Sequence, residues 1–216
     1  MTQPSTFTPL ELESAVQRRY AELAESCGSL SCGQALDLAS PTTGEVFVDL
    51  GCGRGQDVIR AAGRVGPSGK AIGVDRTVAM LDKARASIPP SVSNVLFICC
   101  DLAKLDLEDR IANVVISNCA INHAADKEAV YREIHRVLKK GGRFVVSDIV
   151  AEQELPESVK SDPAAWAACY GGAIPESDYL RSVGRAGFCN VEILRRSTPY
   201  EKGGVMIRSL TIRGER

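Results

Sequence analysis

Asp49, Gly51, Gly53 and Gly55 form a D-x-G-x-G-x-G run directly after an apolar stretch, and Asp75 closes the next apolar stretch. Glycines lack a Cβ, so the chain can turn sharply there and bring its backbone against a ligand. A carboxylate at the end of the second strand can accept the hydroxyls of a ribose. Together these residues read as half of a nucleoside-cofactor site. The dinucleotide fingerprint spaces its glycines as G-x-G-x-x-G around a pyrophosphate. Here the third glycine comes one residue early and Asp49 precedes the turn, and a carboxylate suits an ammonium better than a pyrophosphate. The second chemical resource is sulfur: eight cysteines, the soft ligands of the protein repertoire, lie along the chain.

These groups must be positioned by a sheet. Short apolar runs alternate with helical periodicity from Val46 onward, the pattern of a mostly parallel sheet covered by helices on both faces. Seven strands are expected, at Val46–Leu50, Ala71–Asp75, Val95–Cys99, Ala112–Ser117, Arg143–Asp148, Val191–Arg195 and Val205–Arg213. A helix over Lys127–Lys139 has Asp126 as its N-cap and Gly141 beyond its end. Ahead of the sheet, Thr8, Pro9 and Glu11 make a capping box for a helix whose stripe is Leu12, Val16, Tyr20 and Leu23. That helix and the small, polar SCGSLSCG segment read as a lid, giving residues 1–45 as a capping segment and 46–216 as a single α/β, Rossmann-like domain.

Ligands of open α/β sheets bind beyond the carboxyl ends of the strands. That rule sorts the cysteines. Cys119 follows the fourth strand, Cys169 sits in the long connection between Val150 and Ala173, and Cys27 and Cys32 lie in the lid. Cys99, Cys100 and Cys189 are expected to pack in the core, and Cys52 to shape the glycine turn. Of the two histidines, His135 is expected on a solvated helix face, while His123 is within reach of the crevice, with a structural role.

The composition of the 216 residues, 44% apolar and 25% charged, fits one globular domain, and the net charge of -1 exerts no general pull toward nucleic acid. Neither a signal-peptide h-region nor a stretch long enough for a membrane span is seen, so a cytoplasmic protein with no membrane and no nucleic-acid partner is expected. The oligomeric state is left open. Thiols rather than disulfides are expected in that compartment.

The D-x-G-x-G-x-G run, with Asp75 and Asp101 after the second and third strands, resembles the class I S-adenosylmethionine methyltransferases. The resemblance narrows at VGPSGKAIGVD, at ISNCAINHAADKEAVYREIHRVLKKGGRFVVSDIVAEQELP and at the W-x-x-C-x-G-G-A of Trp166–Ala173, which are similar to the arsenite S-adenosylmethionine methyltransferases. It implies a methyl donor oriented by Asp49, the three glycines and Asp75, with Asp101 accepting from the adenine amine and Asn118 framing the methionine end. It also implies trivalent arsenic held by Cys119, Cys169 and one lid thiol. Cys32 is favoured by its Cys-Gly context and Cys27 is the alternative. A small thiol would serve as reductant.

Two other readings stay open. One is a methyltransferase for an oxygen, nitrogen or carbon acceptor on a small organic molecule, which needs a base such as His123 or Asp148. The other is a non-catalytic thiol-based arsenic-binding protein, for which the intact cofactor turn would be superfluous.

Overall fold

The computed structural model describes residues 8–24 and 34–216. The SCGSLSCG segment, with Cys27 and Cys32, lies outside the described residues. Helix α1 (Pro9–Ala24) begins at the expected capping box, with the Thr8 amide donating to Glu11 Oε2 at 2.7 Å and the Glu11 amide donating to Thr8 Oγ1 at 3.4 Å. A short helix α2 (Ala35–Ala39) follows, with Ala35, Leu36 and Ala39 buried.

Thereafter strands and helices alternate: β1 (Val46–Leu50), α3 (Gln56–Val65), β2 (Lys70–Asp75), α4 (Val78–Ala86), β3 (Val95–Cys99), β4 (Ala112–Asn118), a 3₁₀ turn at Ile121–His123, α5 (Lys127–Val137) and β5 (Leu138–Ala151). The long connection contains α6 (Glu157–Lys160) and α7 (Pro163–Ala167). It is followed by α8 (Glu176–Arg185), β6 (Val191–Arg196), β7 (Tyr200–Lys202) and β8 (Val205–Glu215).

The strands form one sheet in the order β3-β2-β1-β4-β5-β8-β6, with the three-residue β7 paired to β8. The pairs from β3 to β5 are parallel, and β8 runs antiparallel to β5, β6 and β7. The expected seven strands are therefore present, and β7 is an eighth. Alternation along the strands divides the core. Phe47 faces a cluster with α2 and α3, whereas Val48 and Leu50 face one with α5 and α8. Across the second cluster the buried Tyr131 hydroxyl donates to that of Tyr179 at 3.0 Å.

Several expectations are corrected here. The helix expected to reach Lys139 stops at Val137, because Leu138 (φ -68, ψ 139) already pairs with Ala112 as the start of β5. Gly141, expected beyond a helix end, lies within β5 at φ 76. The cysteines expected in the core are not all there: Cys99 and Cys189 are exposed and Cys100 is half-buried. The reason for Cys99 is topological, since it ends β3, a strand with a neighbour on one side only. His135 is half-buried rather than solvated, its ring edge-on to Phe188 with centroids 5.2 Å apart.

Candidate functional site

Strand order reverses between β1 and β4, each of which continues into a loop at its carboxyl end. Such a switch point leaves a crevice, because the connections depart in opposite directions. A cavity of about 550 Å³ occupies it, bordered by the glycine turn, the ends of β2 and β4, the loop at Asp101, and Val16 and Tyr20 of α1.

The turn is shaped by close approach. Gly51 has φ 73, and a Cβ there would lie 2.2 Å from Ala120 Cβ in the loop after β4. Gly55 has φ 72, and its Cβ would meet Phe97 at 2.4 Å. Gly53 differs: its Cβ direction is open apart from Met80 Sδ at 4.0 Å, leaving room against its backbone. Cys52, between the glycines, is half-buried and shapes the turn as expected, its Sγ packed where a Gly73 side chain would project. Burial, reinforced by the charges of Asp49 and Asp75, pushes the Cys52 thiol well above its ordinary range.

The electrostatics of the crevice are acidic. Asp49 is only 4% exposed, and burial, then the neighbouring Asp57 and Asp75, raise its pKa well above the usual carboxylate range. None of the ion pairs among the described residues involves Asp49. Asp75 is also raised by burial, against the backbone donors that hold it: Gly53 N to Oδ2 and Thr77 N to Oδ1, both at 2.9 Å. Asp57, in the first turn of α3, pairs with Arg60 at 3.0 Å and accepts from Asn118 Nδ2 at 3.3 Å. That bond turns Asn118 so that its Oδ1 is buried with no hydrogen-bond partner at the cavity wall. A buried acceptor left unmade is costly, so the position is built to receive a donor. Asp101 Oδ1 accepts from Ala103 N at 2.7 Å and Oδ2 lies 3.6 Å from Arg76, at the more open end.

Two sulfurs share the cavity with the turn. Cys119 has φ 55 and its amide donates to Ser147 O at 2.8 Å; Cys169 has φ 71 and its amide donates to Trp166 O at 3.0 Å. Both border the cavity. Asn122 ties their segments together: its amide donates to Asp148 Oδ2 at 3.0 Å, and its Nδ2 to Ile149 O at 2.6 Å and to Cys169 O at 3.4 Å. His123 lines the cavity as well, with Nε2 at 3.1 Å from the Tyr20 hydroxyl and 3.4 Å from Cys169 Sγ. Burial, with Lys127 adding, pushes the His123 imidazole down to about 4, so it is neutral at pH 7. Burial and the adjoining Cys169 raise the Tyr20 phenol. Among the described residues no group of three or more His, Cys, Asp or Glu is arranged to hold a metal ion.

Most of the described residues singled out from the sequence converge on one cavity: Asp49, Gly51, Gly53, Asp75, Asp101, Asn118, Cys119 and Cys169 border it, whereas Gly55, expected against the cofactor, does not, its Cβ direction being closed by Phe97 and Ala84. Asp148 does not border it. It is buried, held by backbone donors from Ile149 and Asn122, and pushed up to about 7 by burial. The sequence reading missed Asp57, Tyr20 as a cavity residue, and Asn122. Asp57 carried a local signal, an acid in the first turn after a glycine turn. Asn122 carried none, since its partners come from distant segments.

A methyltransferase-domain family profile matches residues 41–192. The arsenite methyltransferase of Halobacterium salinarum is 40% identical over 173 residues, covering 80% of this chain and 44% of that protein. The human arsenite methyltransferase is 33% identical over 153 residues, covering 66% and 41%. The chain spans less than half the length of these curated relatives. Among solved structures, an arsenic(III) S-adenosylmethionine methyltransferase from Chlamydomonas reinhardtii superimposes with a TM-score of 0.77 at 32% identity, covering 94% of this chain and 73% of that one. By its profile match, this chain belongs to the methyltransferase-domain family, and its fold is similar to that of the arsenic(III) S-adenosylmethionine methyltransferase of known structure.

Proposed function

We propose that this protein transfers a methyl group from S-adenosylmethionine to trivalent arsenic held by Cys119, Cys169 and a lid thiol, Cys32 or alternatively Cys27, with a small thiol as reductant. The observation that carries the reading is that Cys119 and Cys169 border one cavity with an acidic glycine turn. Names borne by similar proteins point the same way.

The residues fit the donor. Its ammonium and sulfonium suit a crevice where Asp49, Asp57 and Asp75 gather without a cation on Asp49, and a bound cation would favour ionised Asp49. The orphaned Asn118 Oδ1 is an acceptor for the ammonium, the open side of Gly53 gives backbone approach, Asp75 serves the ribose, and Asp101 the adenine amine. When bound, S-adenosylmethionine supplies an electrophilic methyl whose carbon–sulfur bond breaks as the acceptor bonds to carbon.

The chain's own work is then positioning. Cys119 and Cys169 present soft sulfur to a thiophilic substrate, which keeps a lone pair when bound by thiolates and so requires no general base. Holding the reactants together removes much of the entropic barrier of a bimolecular step. Val16 and Tyr20 roof the cavity, and residues 1–45 act as the cap of a transfer domain formed by 46–216, with α2 packed into that domain. Among the described residues no helix is long and apolar enough to cross a membrane, and the acceptor is a metalloid rather than a nucleic acid.

The test is direct. Purified protein, S-adenosylmethionine, a thiol and arsenite are incubated, S-adenosylhomocysteine is quantified, and arsenic species are separated by mass-detected chromatography. Methylated arsenic is expected from the parent chain. Cys119→Ser and Cys169→Ser should abolish it while calorimetric donor affinity persists. Turnover preserved in both variants would refute the arsenic site. A parent that methylates only an organic acceptor would support the small-molecule reading, and one that binds arsenic without donor turnover the non-catalytic one.

A further inference from the structure

Cys169 has φ 71, a left-handed backbone uncommon for a residue with a side chain. Such a conformation persists only where its surroundings over-determine it. Part of the restraint is local: the amides of Tyr170 and Gly171 converge on Ala165 O at 3.2 and 2.9 Å. The rest comes from the far side of the segment, at the β7–β8 hairpin. Lys202 Nζ donates to Ala168 O at 2.8 Å, and the same ammonium lies 5.5 Å from the centre of the Tyr170 ring. The next residue, Gly203, has φ 61 and lies against that ring, so that a Cβ there would come within 2.3 Å of the Tyr170 hydroxyl oxygen. The residues on either side of Cys169 are therefore both gripped by the hairpin tip, although neither Lys202 nor Gly203 borders the cavity. Tyr170 and Cys169 also pack on a small separate cluster that includes Ile149, Leu155 and Ile207.

We infer that Lys202 is a positioning residue for the transfer reaction: by bracketing Ala168 and Tyr170 from outside the cavity, the hairpin holds the Cys169 sulfur at the site. The inference rests on the arsenic reading for its catalytic meaning, but the sulfur's placement is measurable without arsenic. The lysine sits on a hairpin, so its removal leaves the parallel sheet intact.

The experiment compares the parent chain with Lys202→Met, Lys202→Arg and Gly203→Ala. The iodoacetamide labelling rates of Cys169 and Cys119 are mapped by mass spectrometry. Arsenite binding is followed by the fluorescence of Trp166, the single tryptophan, and KM is measured for both substrates. In Lys202→Met and Gly203→Ala the Cys169 labelling rate should change while that of Cys119 does not. A displacement of about 1 Å can cost up to about 100-fold, expected as a rise in KM for arsenite with KM for the donor unchanged. Lys202→Arg, which keeps a cationic donor, should restore both readouts. Parent-like Cys169 labelling in Lys202→Met, or failure of Lys202→Arg to restore it, would overturn the inference. A parent chain that does not bind arsenite would instead refute the reading beneath it, with the labelling comparison still deciding the hairpin's role.

Discussion

His123 is the residue where the burial of a titratable group and the site coincide. Its imidazole is held near 4 by burial, well below the ordinary 6.5, while Nε2 faces Tyr20 and Cys169. Between those pH values the unfolded chain takes up a proton that the folded chain refuses. The stabilisation is thus complete above pH 6.5 and lost as pH falls through 4. The 2.5-unit difference between those two values corresponds to about 3 kcal/mol at most. Urea denaturation at pH 7 and pH 4 should show His123→Leu losing less stability on acidification than the parent chain. An equal loss in both would show that the imidazole is not buried neutral. Asn118 makes the complementary point: an amide turned by Asp57 leaves a buried acceptor at the cavity wall, and nothing in its immediate sequence reveals which way it turns.

At the scale of elements, the glycine turn and the loop after β4 are one mechanical unit, because Gly51 leaves just enough room for Ala120. Gly51→Ala combines a strained positive φ with that collision and should cost roughly 1–3 kcal/mol in denaturant stability. Donor affinity should fall as well, since the displaced loop contains Cys119 and follows directly on Asn118 at the end of β4. Parent-like affinity and stability would show the contact to be slack. The turn was legible in the sequence because its chemistry is local, with Asp49 and three glycines within one strand–turn–helix unit. Asp126 was legible for the same reason and does cap α5, accepting from Ala129 N at 2.9 Å. The end of α5 was not legible. Leu138 and Lys139 continue its helical pattern, but pairing with β4 claims Leu138 for β5. Nor was Asn122, whose donors reach carbonyls at Ile149 and Cys169 that only the tertiary fold brings near.

At the scale of the whole molecule, parallel strands converge on a single switch point and the antiparallel β8 extends the sheet away from it, so ligand binding and folding share the same core. A ligand that binds only the folded chain stabilises it by about 2.7 kcal/mol at 100 times its dissociation constant. For a chain of this size each kcal/mol shifts the melting midpoint by about 2–4 °C. S-adenosylhomocysteine at that excess should therefore raise the midpoint by several degrees in a thermal melt, and Asp75→Ala should abolish most of the rise. The same shift in parent and variant would remove Asp75 from the site. The strand order is what makes Cys119, Cys169 and the acidic turn neighbours. Their separation along the chain conceals this, and only the rule that ligands sit beyond the strand ends anticipates it.

Cys52 adds a consequence for chemical fidelity. Cys52 borders the cavity proposed to hold an activated methyl donor, and thiolate, not thiol, is the form that would attack such a group. Burial and the charges of Asp49 and Asp75 keep Cys52 protonated. On the proposed reading, the acids that would receive a cationic donor also keep a neighbouring thiol in its unreactive, protonated form, which would spare the protein from alkylating itself.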